Sequence, residues 1–152
     1  MTTIAVTRDE MACDLQGTIG DSQKLKMNTK IYKYNPHPMT YNKCRFMIGF
    51  AGSVDDIITM SDFFYSPDAY EGVQIKLSQG IQGVVLTERG DMFYMTSPEK
   101  WMLLKDDVFA IGTGANVALG ALNVGATPRE AVKAAIKVDP YSGMGVKSYS
   151  FK

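Results

Sequence analysis

The apolar run at 44–51 is the feature that most constrains the fold. Its sequence, CRFMIGFA, shows almost no alternation of apolar and polar residues, which is typical of a strand buried on both faces. Gly52 interrupts the run, and Ser53 then provides a capping residue for a helix whose first turn carries Asp55 and Asp56. The segment is therefore predicted to be a doubly buried strand that leads directly into a helix.

The order of the other elements indicates what those layers are. Strands are predicted at 3–7, 10–14, 29–34, 81–87, 92–95, 108–111 and 145–151, and residues 73–77 alternate like a strand. One helix is predicted to open at a Ser53 cap and to be ended by Pro67, a second at 115–124 and a third, after a Thr127–Glu130 capping box, through Val138. Residues 17–22 and 35–43 look like loops. This order predicts an α+β fold of two sheets with helices outside them, in one domain spanning 1–152.

Composition excludes several classes of function. The 16 basic and 16 acidic residues balance, so net charge gives no reason to expect nucleic acid or an anionic membrane as a partner. No apolar run of about 18 residues predicts a membrane span, and no secretory signal is evident. With two cysteines, no disulfide framework is expected, and the cytoplasm is the default compartment.

The sequence predicts no metal site and no cofactor. The single histidine, His37, stands between two prolines and is expected in a surface loop. One histidine and two separated cysteines give no zinc-binding pattern. The Walker pattern is missing, and the Gly-Thr-Gly sequence at 112–114 is too short to be a dinucleotide fingerprint.

The start of the chain, Met1-Thr2-Thr3-Ile4, provides a candidate nucleophile. A small residue after Met1 is the context in which initiator methionine is normally removed, and removal would leave Thr2 with a free α-amine beside its hydroxyl. Such an amine, with an ordinary pKa of about 8, is one of the few bases that activate a threonine hydroxyl without histidine.

A nucleophile of this kind needs a cation to lower the pKa of its hydroxyl and a carboxylate to orient the cation. Asp14 ends the predicted second strand and Lys30 begins the third, sixteen positions later. A sheet could bring both side chains beside Thr2, although each alone could equally be a turn residue or a solvated charge.

Taken with other motifs, these residues resemble the proteasome β-subunit and HslV family of threonine proteases, which are N-terminal nucleophile (Ntn) hydrolases. The motifs are the Thr2–Ile4 start, the Asp14 to Lys30 spacing, FAGSVD at 50–55, IGTG at 111–114 and DPYSG at 139–143. They occur in the family's order over almost the whole chain. The resemblance implies a four-layer αββα Ntn-hydrolase sandwich, with a reduced first helical layer because residues 66–80 leave little room for the family's second helix.

The resemblance also implies roles for individual residues. Thr2 would form an acyl-enzyme with a peptide, and the Gly52 amide would hold the oxyanion. Lys30, oriented by Asp14, would keep the site positive. Ser142 would belong to the network that holds the Thr2 amine.

Three further residues take their roles from the same motifs. Asp139 would support Ser142 and the amine, and Thr113 stands where the family has a serine. Phe50 lies where the family places the floor of its specificity pocket, so we expect small or medium apolar side chains before the cleaved bond.

The implied partners are a peptide or unfolded protein substrate, other copies in a single or double ring of six or seven subunits, and an AAA+ unfoldase. One alternative is a catalytically silent Ntn-fold ring or structural module, as in an assembly of a virus or mobile element, if Met1 is retained. A second alternative, ranked lower, is an Ntn amidase acting on small molecules.

Overall fold

The computed structural model describes residues 2–19, 23–36, 44–70, 75, 81–97 and 100–151. The strands in these ranges are β1 (Thr3–Thr7), β2 (Met11–Asp14), β3 (Gln16–Ile19), β4 (Gln23–Lys26), β5 (Ile31–Tyr34), β6 (Phe46–Ala51), β7 (Gln82–Thr87), β8 (Met92–Ser97), β9 (Lys100–Leu104), β10 (Val108–Gly112) and β11 (Val146–Tyr149). The helices are α1 (Val54–Tyr65), α2 (Ala115–Asn123) and α3 (Pro128–Ile136), and a short 3-10 helix covers Pro67–Tyr70. Met1, His37, residues 37–43 of the loop predicted at 35–43 and most of the predicted strand at 73–77 lie outside the described residues.

The first sheet consists of four antiparallel strands in the order β10, β1, β2, β11. Alternation along β1 places Ile4 and Val6 in the core between the two sheets. Ala5 lies on the opposite face, in the core beneath α2 and α3. This strand, which starts beside the candidate nucleophile, is therefore held from both sides.

The second sheet is an antiparallel meander of β5 to β9 in sequence order. In β6, Met47 and Ala51 pack into the core between the sheets. Phe46, Ile48 and Phe50 point the other way, into the core beneath α1. The prediction that this apolar run is buried on both faces is confirmed.

One helical layer covers each outer sheet face. On the second sheet, α1 is capped by Ser53, whose hydroxyl accepts a hydrogen bond from the amide of Asp56, and the helix buries Ile57, Met60 and Phe64. On the first sheet, α2 and α3 bury mostly small side chains, which allow the helices to approach the strands closely.

The order of layers is thus helix, sheet, sheet, helix, as the sequence predicted. In the part of the chain that the structure describes, the layer outside the five-stranded sheet contains α1 and the single 3-10 turn after it. None of the described helices combines the length and apolar character needed to cross a bilayer.

Several element predictions were wrong. Residues 17–22 were expected to be a loop, but Gln16–Ile19 and Gln23–Lys26 pair as a hairpin. This hairpin is mostly polar, and β4 is largely exposed, so apolar alternation does not mark it. Strand β9 was not predicted because the sequence KWMLL does not alternate either.

One helix end agrees with the prediction and another differs. Helix α1 ends at Tyr65, so it stops before Pro67 as predicted, because a residue preceding proline avoids helical backbone angles. Helix α3 ends at Ile136 rather than Val138. Its last turn is closed by the amides of Val138 and Asp139, which both donate to the carbonyl of Ala135.

Candidate active site

The candidate nucleophile lies at the start of β1, where the Gly112-Thr113-Gly114 turn crosses it. The Gly114 amide donates to the carbonyl oxygen of Thr2 at 3.3 Å. A Cβ atom at Gly112 would collide with Thr2, and one at Gly114 would collide with Thr3. The two glycines therefore permit close contact between this turn and β1, so close packing accounts for both glycines of the Gly-Thr-Gly motif.

The Lys30 ammonium joins the candidate nucleophile to the candidate carboxylate. Its Nζ atom donates to Thr2 Oγ1 at 2.9 Å, to Asp14 Oδ1 at 2.9 Å and to the main-chain oxygen of Gln16 at 2.6 Å. The Lys30 and Asp14 side chains are 1% and 0% exposed. These three acceptors match the three hydrogens of the ammonium and hold it against the Thr2 hydroxyl.

Main-chain amides hold the Asp14 carboxylate in turn. Oδ1 accepts from the Thr3 amide at 2.9 Å in addition to Lys30. Oδ2 accepts from the amides of Gln16 at 3.2 Å and Gly143 at 3.0 Å. These bonds satisfy a fully buried charge and tie β1, the end of β2 and the segment before β11 to one side chain.

Burial lowers the pKa of Lys30 below that of an ordinary lysine, and the charge and hydrogen bond of Asp14 oppose this shift. The Lys30 ammonium is therefore stabilised chiefly by the buried Asp14 carboxylate. A positive charge at this position favours partial negative charge on the Thr2 oxygen.

A second network lies on the other side of Thr2 and centres on Asp139. Its Oδ2 atom accepts from the hydroxyls of Thr113 and Ser142, each at 2.6 Å. Because Thr113 donates to Asp139, its oxygen can accept from the main-chain nitrogen of Thr2, which lies 3.3 Å away. Ser142 likewise accepts from the Thr3 hydroxyl at 2.7 Å.

Burial alone would raise the pKa of Asp139. The hydrogen bonds from Ser142, Thr113 and the Tyr141 amide outweigh that effect and lower the pKa below the ordinary value. The carboxylate is therefore kept ionised as an acceptor for both hydroxyls.

A cavity of about 80 Å³ lies beside Thr2. The described residues that line it include the predicted site residues Thr2, Lys30 and Gly52, and Thr18, Met27, Val54 and Ile57 among the others. Gly52 ends β6 here, where a Cβ atom would come within 3.1 Å of the Ile81 Cα atom, so a side chain would crowd the neighbouring chain.

The structure places Phe50 elsewhere. Its ring is fully buried beneath α1, with the ring centroids of Tyr32 and Phe64 6.1 and 6.5 Å away. Phe50 is not among the described residues that line the cavity. In contrast, Thr2, Asp14 and Lys30 lie together, as do Thr113, Asp139 and Ser142.

Sequence reasoning missed several contributors, among them the Thr3 hydroxyl, the Gln16 carbonyl and the Gly143 amide. The sequence does hold a signal for Thr3. Ile4 and Val6 mark the face of β1 that lies between the sheets, and strand alternation puts Thr3 on the other face, away from Thr2. The two main-chain groups carry no signal in their residue type. Within the described ranges, no group of three or more His, Cys, Asp or Glu side chains is placed to hold a metal ion.

No protein-family profile and no curated protein sequence matches this chain. Solved structures do match its fold. Thiobacillus denitrificans BPH aligns with a TM-score of 0.69 and 16% identity over 99% of this chain and 97% of its own, and it has also been solved in complex with epoxomicin.

Two other structures show the same architecture. Eukaryotic HslV from Trypanosoma brucei aligns with a TM-score of 0.66 and 20% identity, over 97% of this chain and 98% of its own. The Anbu (Gly-1) mutant from Hyphomicrobium sp. strain MC1 aligns with a TM-score of 0.70 and 11% identity, over 100% of this chain and 82% of its own. The chain therefore has the four-layer fold of the proteasome-like Ntn hydrolases.

Proposed function

We propose that this chain is a threonine peptidase whose nucleophile is Thr2, made N-terminal by removal of Met1. The contact of Lys30 Nζ with Thr2 Oγ1 at 2.9 Å carries the proposal. A fully buried lysine is costly for a fold unless it is paired, and this one is aimed by Asp14 at a hydroxyl. The fold shared with BPH and HslV supports the same conclusion.

In the first half of the reaction, the Thr2 hydroxyl loses its proton to the Thr2 amine, directly or through water or Ser142. Oγ1 attacks the carbonyl carbon of the peptide bond, and the Gly52 amide donates to the developing oxyanion. The C–N bond then breaks, the leaving amine takes the proton, and an ester joins the substrate to Thr2.

In the second half, water attacks that ester. The Thr2 amine accepts a proton from the water and returns it to Oγ1, which releases the carboxylic acid product. Lys30 stays protonated throughout and lowers the pKa of the hydroxyl. The Asp139 network orients the amine through Thr113, whose oxygen accepts one of its hydrogens.

The proposal includes assembly into a ring of six or seven subunits, single or double, that encloses the site. Peptides or unfolded proteins are the substrates. An AAA+ unfoldase that supplies them stays a prediction of the sequence resemblance.

The test combines intact mass, N-terminal sequencing and reaction with epoxomicin, the compound bound by BPH. We expect a chain that starts at Thr2, gains the mass of epoxomicin and hydrolyses a mixed peptide library. Thr2→Ala should abolish hydrolysis and adduct formation, and Thr2→Ser should retain part of both. Thr7→Ala, at the far end of β1, is the control and should leave both unchanged.

A retained Met1, with neither adduct nor hydrolysis, would overturn the proposal, because the nitrogen of Thr2 would then be an amide without basicity. That outcome would favour the silent ring or structural module.

A further inference from the structure

Lys30 lies on a short connection that has no regular secondary structure. Residues 27–30 join β4 to β5 and belong to neither strand. The Lys30 side chain nevertheless reaches Thr2 Oγ1, and a small displacement of a catalytic group can lower a reaction rate strongly. The groups that hold this connection in place therefore influence the position of the ammonium.

Main-chain hydrogen bonds hold the two ends of the connection. The Met27 amide donates to the Leu15 carbonyl at 2.7 Å, and the Phe50 amide donates to the Lys30 carbonyl at 3.0 Å. The two residues between these ends, Asn28 and Thr29, are held through their side chains.

The Thr29 hydroxyl closes a turn around Lys30. It donates to the Ile31 carbonyl and accepts from the Ile31 amide, each at 3.1 Å. It also accepts from the Tyr149 hydroxyl at 2.8 Å. A hydroxyl has one hydrogen and two lone pairs, so these three hydrogen bonds use its full capacity.

Strand β11 belongs to the first sheet, but two of its side chains reach this connection. Tyr149 lies opposite Met11, whose side chain is in the core between the sheets. Because residues two apart on a strand share a face, Lys147 points the same way as Tyr149. Its Nζ atom donates to Asn28 Oδ1 at 3.1 Å, beside the bond from Tyr149 to Thr29. The strand thus holds the two residues that directly precede Lys30.

We infer that Tyr149 is a positioning residue, whose hydroxyl acts through Thr29 to aim the Lys30 ammonium at the nucleophile. The inference rests on the proposed function. The Tyr149 ring packs against the core between the sheets, so loss of the hydroxyl alone leaves that packing in place. Lys30 acts on charge that develops in the transition state, so a displaced ammonium should lower kcat and leave KM unchanged.

The experiment compares Tyr149→Phe, which removes only the hydroxyl, with the unsubstituted protein on one reference peptide. We expect kcat to fall about fivefold, with KM unchanged. Epoxomicin should label the variant more slowly but to the same final extent. The final extent measures the fraction of folded molecules, whereas the labelling rate reports on the nucleophile.

Tyr65→Phe is the matched control, because it removes the same group from a side chain that is 82% exposed on α1. It should leave kcat and the labelling rate unchanged.

Thr29→Val tests whether the effect passes through Thr29, because it removes the acceptor and keeps the shape of the side chain. When Tyr149→Phe is added to Thr29→Val, kcat should change by less than about twofold, since the hydrogen bond is already absent. A further loss as large as that caused by Tyr149→Phe alone would overturn the assignment to Thr29.

An unchanged kcat in Tyr149→Phe, or a fall matched by a lower final extent of labelling, would overturn the inference and leave the peptidase proposal standing. Absence of both hydrolysis and labelling in the unsubstituted protein would overturn the peptidase proposal, and this inference with it.

Discussion

At the scale of single residues, the buried Lys30 and Asp14 pair dominates the energetics of the site. Taking two charges out of water is expensive, and their attraction compensates only when every remaining donor and acceptor is satisfied. Asp14 meets that condition with three main-chain amides besides the ammonium. The pair is thus more important for specifying the geometry of Thr2 than for adding net stability.

The first prediction concerns Lys30→Met. The substitution leaves the Asp14 carboxylate buried without its counter-charge, so we expect a loss of about 3–5 kcal/mol in the free energy of unfolding. Peptide hydrolysis should fall to background because the Thr2 oxygen loses its cation. Urea unfolding and hydrolysis of one reference peptide measure the two effects.

Lys33→Met is the control, since Lys33 is exposed and donates only to the Ser150 carbonyl among hydrogen bonds described for it. Its effect on unfolding should stay under about 1 kcal/mol. Equal effects of the two substitutions would contradict the structural importance given to the buried pair.

The second prediction concerns the acid stability conferred by Asp139. The pKa of Asp139 is lower in the folded protein than in the unfolded chain, where it has the ordinary aspartate value of about 3.9. As the pH falls below that value, the unfolded chain therefore binds a proton at Asp139 more readily than the folded protein does. Stability from this group is therefore complete above that value and is lost as the pH falls through the folded pKa. Asp139→Asn should flatten the decline in thermal midpoint below about pH 4.

Asp106→Asn, which removes a charge from an exposed position, serves as the control for this experiment. An acid decline of equal steepness in Asp139→Asn and the unsubstituted protein would show that the three hydrogen bonds to Asp139 do not stabilise its ionised form.

At the scale of elements, local chemistry predicts some features well and others not at all. The Thr127–Glu130 capping box is present in the structure. It could be predicted from four residues because both of its hydrogen bonds are local. The β3–β4 hairpin was missed because its mostly polar sequence shows no apolar alternation, although β3 contacts α1 in the structure. Local signals cannot report contacts with residues far along the chain.

The third prediction tests the capping box of α3. Thr127→Ala removes the hydroxyl that accepts from the Glu130 amide, and we expect a loss of about 1 kcal/mol in the free energy of unfolding. Thr127→Ser keeps the acceptor and should be nearly neutral. A thermal midpoint for Thr127→Ala equal to that of Thr127→Ser would argue against the cap.

The fourth prediction concerns Met144, whose φ angle of 61° lies in the left-handed region that non-glycine residues avoid. Met144→Gly relieves a strain of about 1–2 kcal/mol, against about 0.5–1 kcal/mol of added chain entropy in the unfolded state. We expect a net gain of up to about 1 kcal/mol. Met144→Ala keeps the strain without the long side chain, so it should be less stable than Met144→Gly, and the reverse order would refute the argument.

At the scale of the whole molecule, the site was predictable as a set of residues but not as a set of contacts. Motif spacing identified Thr2, Asp14 and Lys30, and the structure brings these three together. The spacing did not reveal which way Phe50 points, because the direction of a strand side chain depends on which sheet face meets α1. The main-chain groups that bind Lys30 and Asp14 could not be predicted from the sequence either, since their positions depend on how the two sheets stack.

The fifth prediction concerns assembly, which follows from the proposed function. A ring of six or seven copies of this 16.7-kDa chain has a mass of about 100 or about 117 kDa, and a double ring has twice that. Native mass spectrometry at micromolar concentration should give one of these masses. A single species at the mass of one chain would contradict the ring.

The position of the Lys30–Asp14 contact also determines when, during synthesis and folding, the site is assembled. Asp14 closes a strand of one sheet, Lys30 immediately precedes a strand of the other, and Asp139, which accepts from Thr113, follows α3 near the far end of the sequence. Thr2 therefore meets Lys30 only after the sheets have stacked, and Thr113 meets its acceptor only after the segment around Asp139 has been synthesised. If the proposed function holds, a nascent or half-folded chain has no assembled nucleophile and cannot cleave neighbouring polypeptides before it has folded.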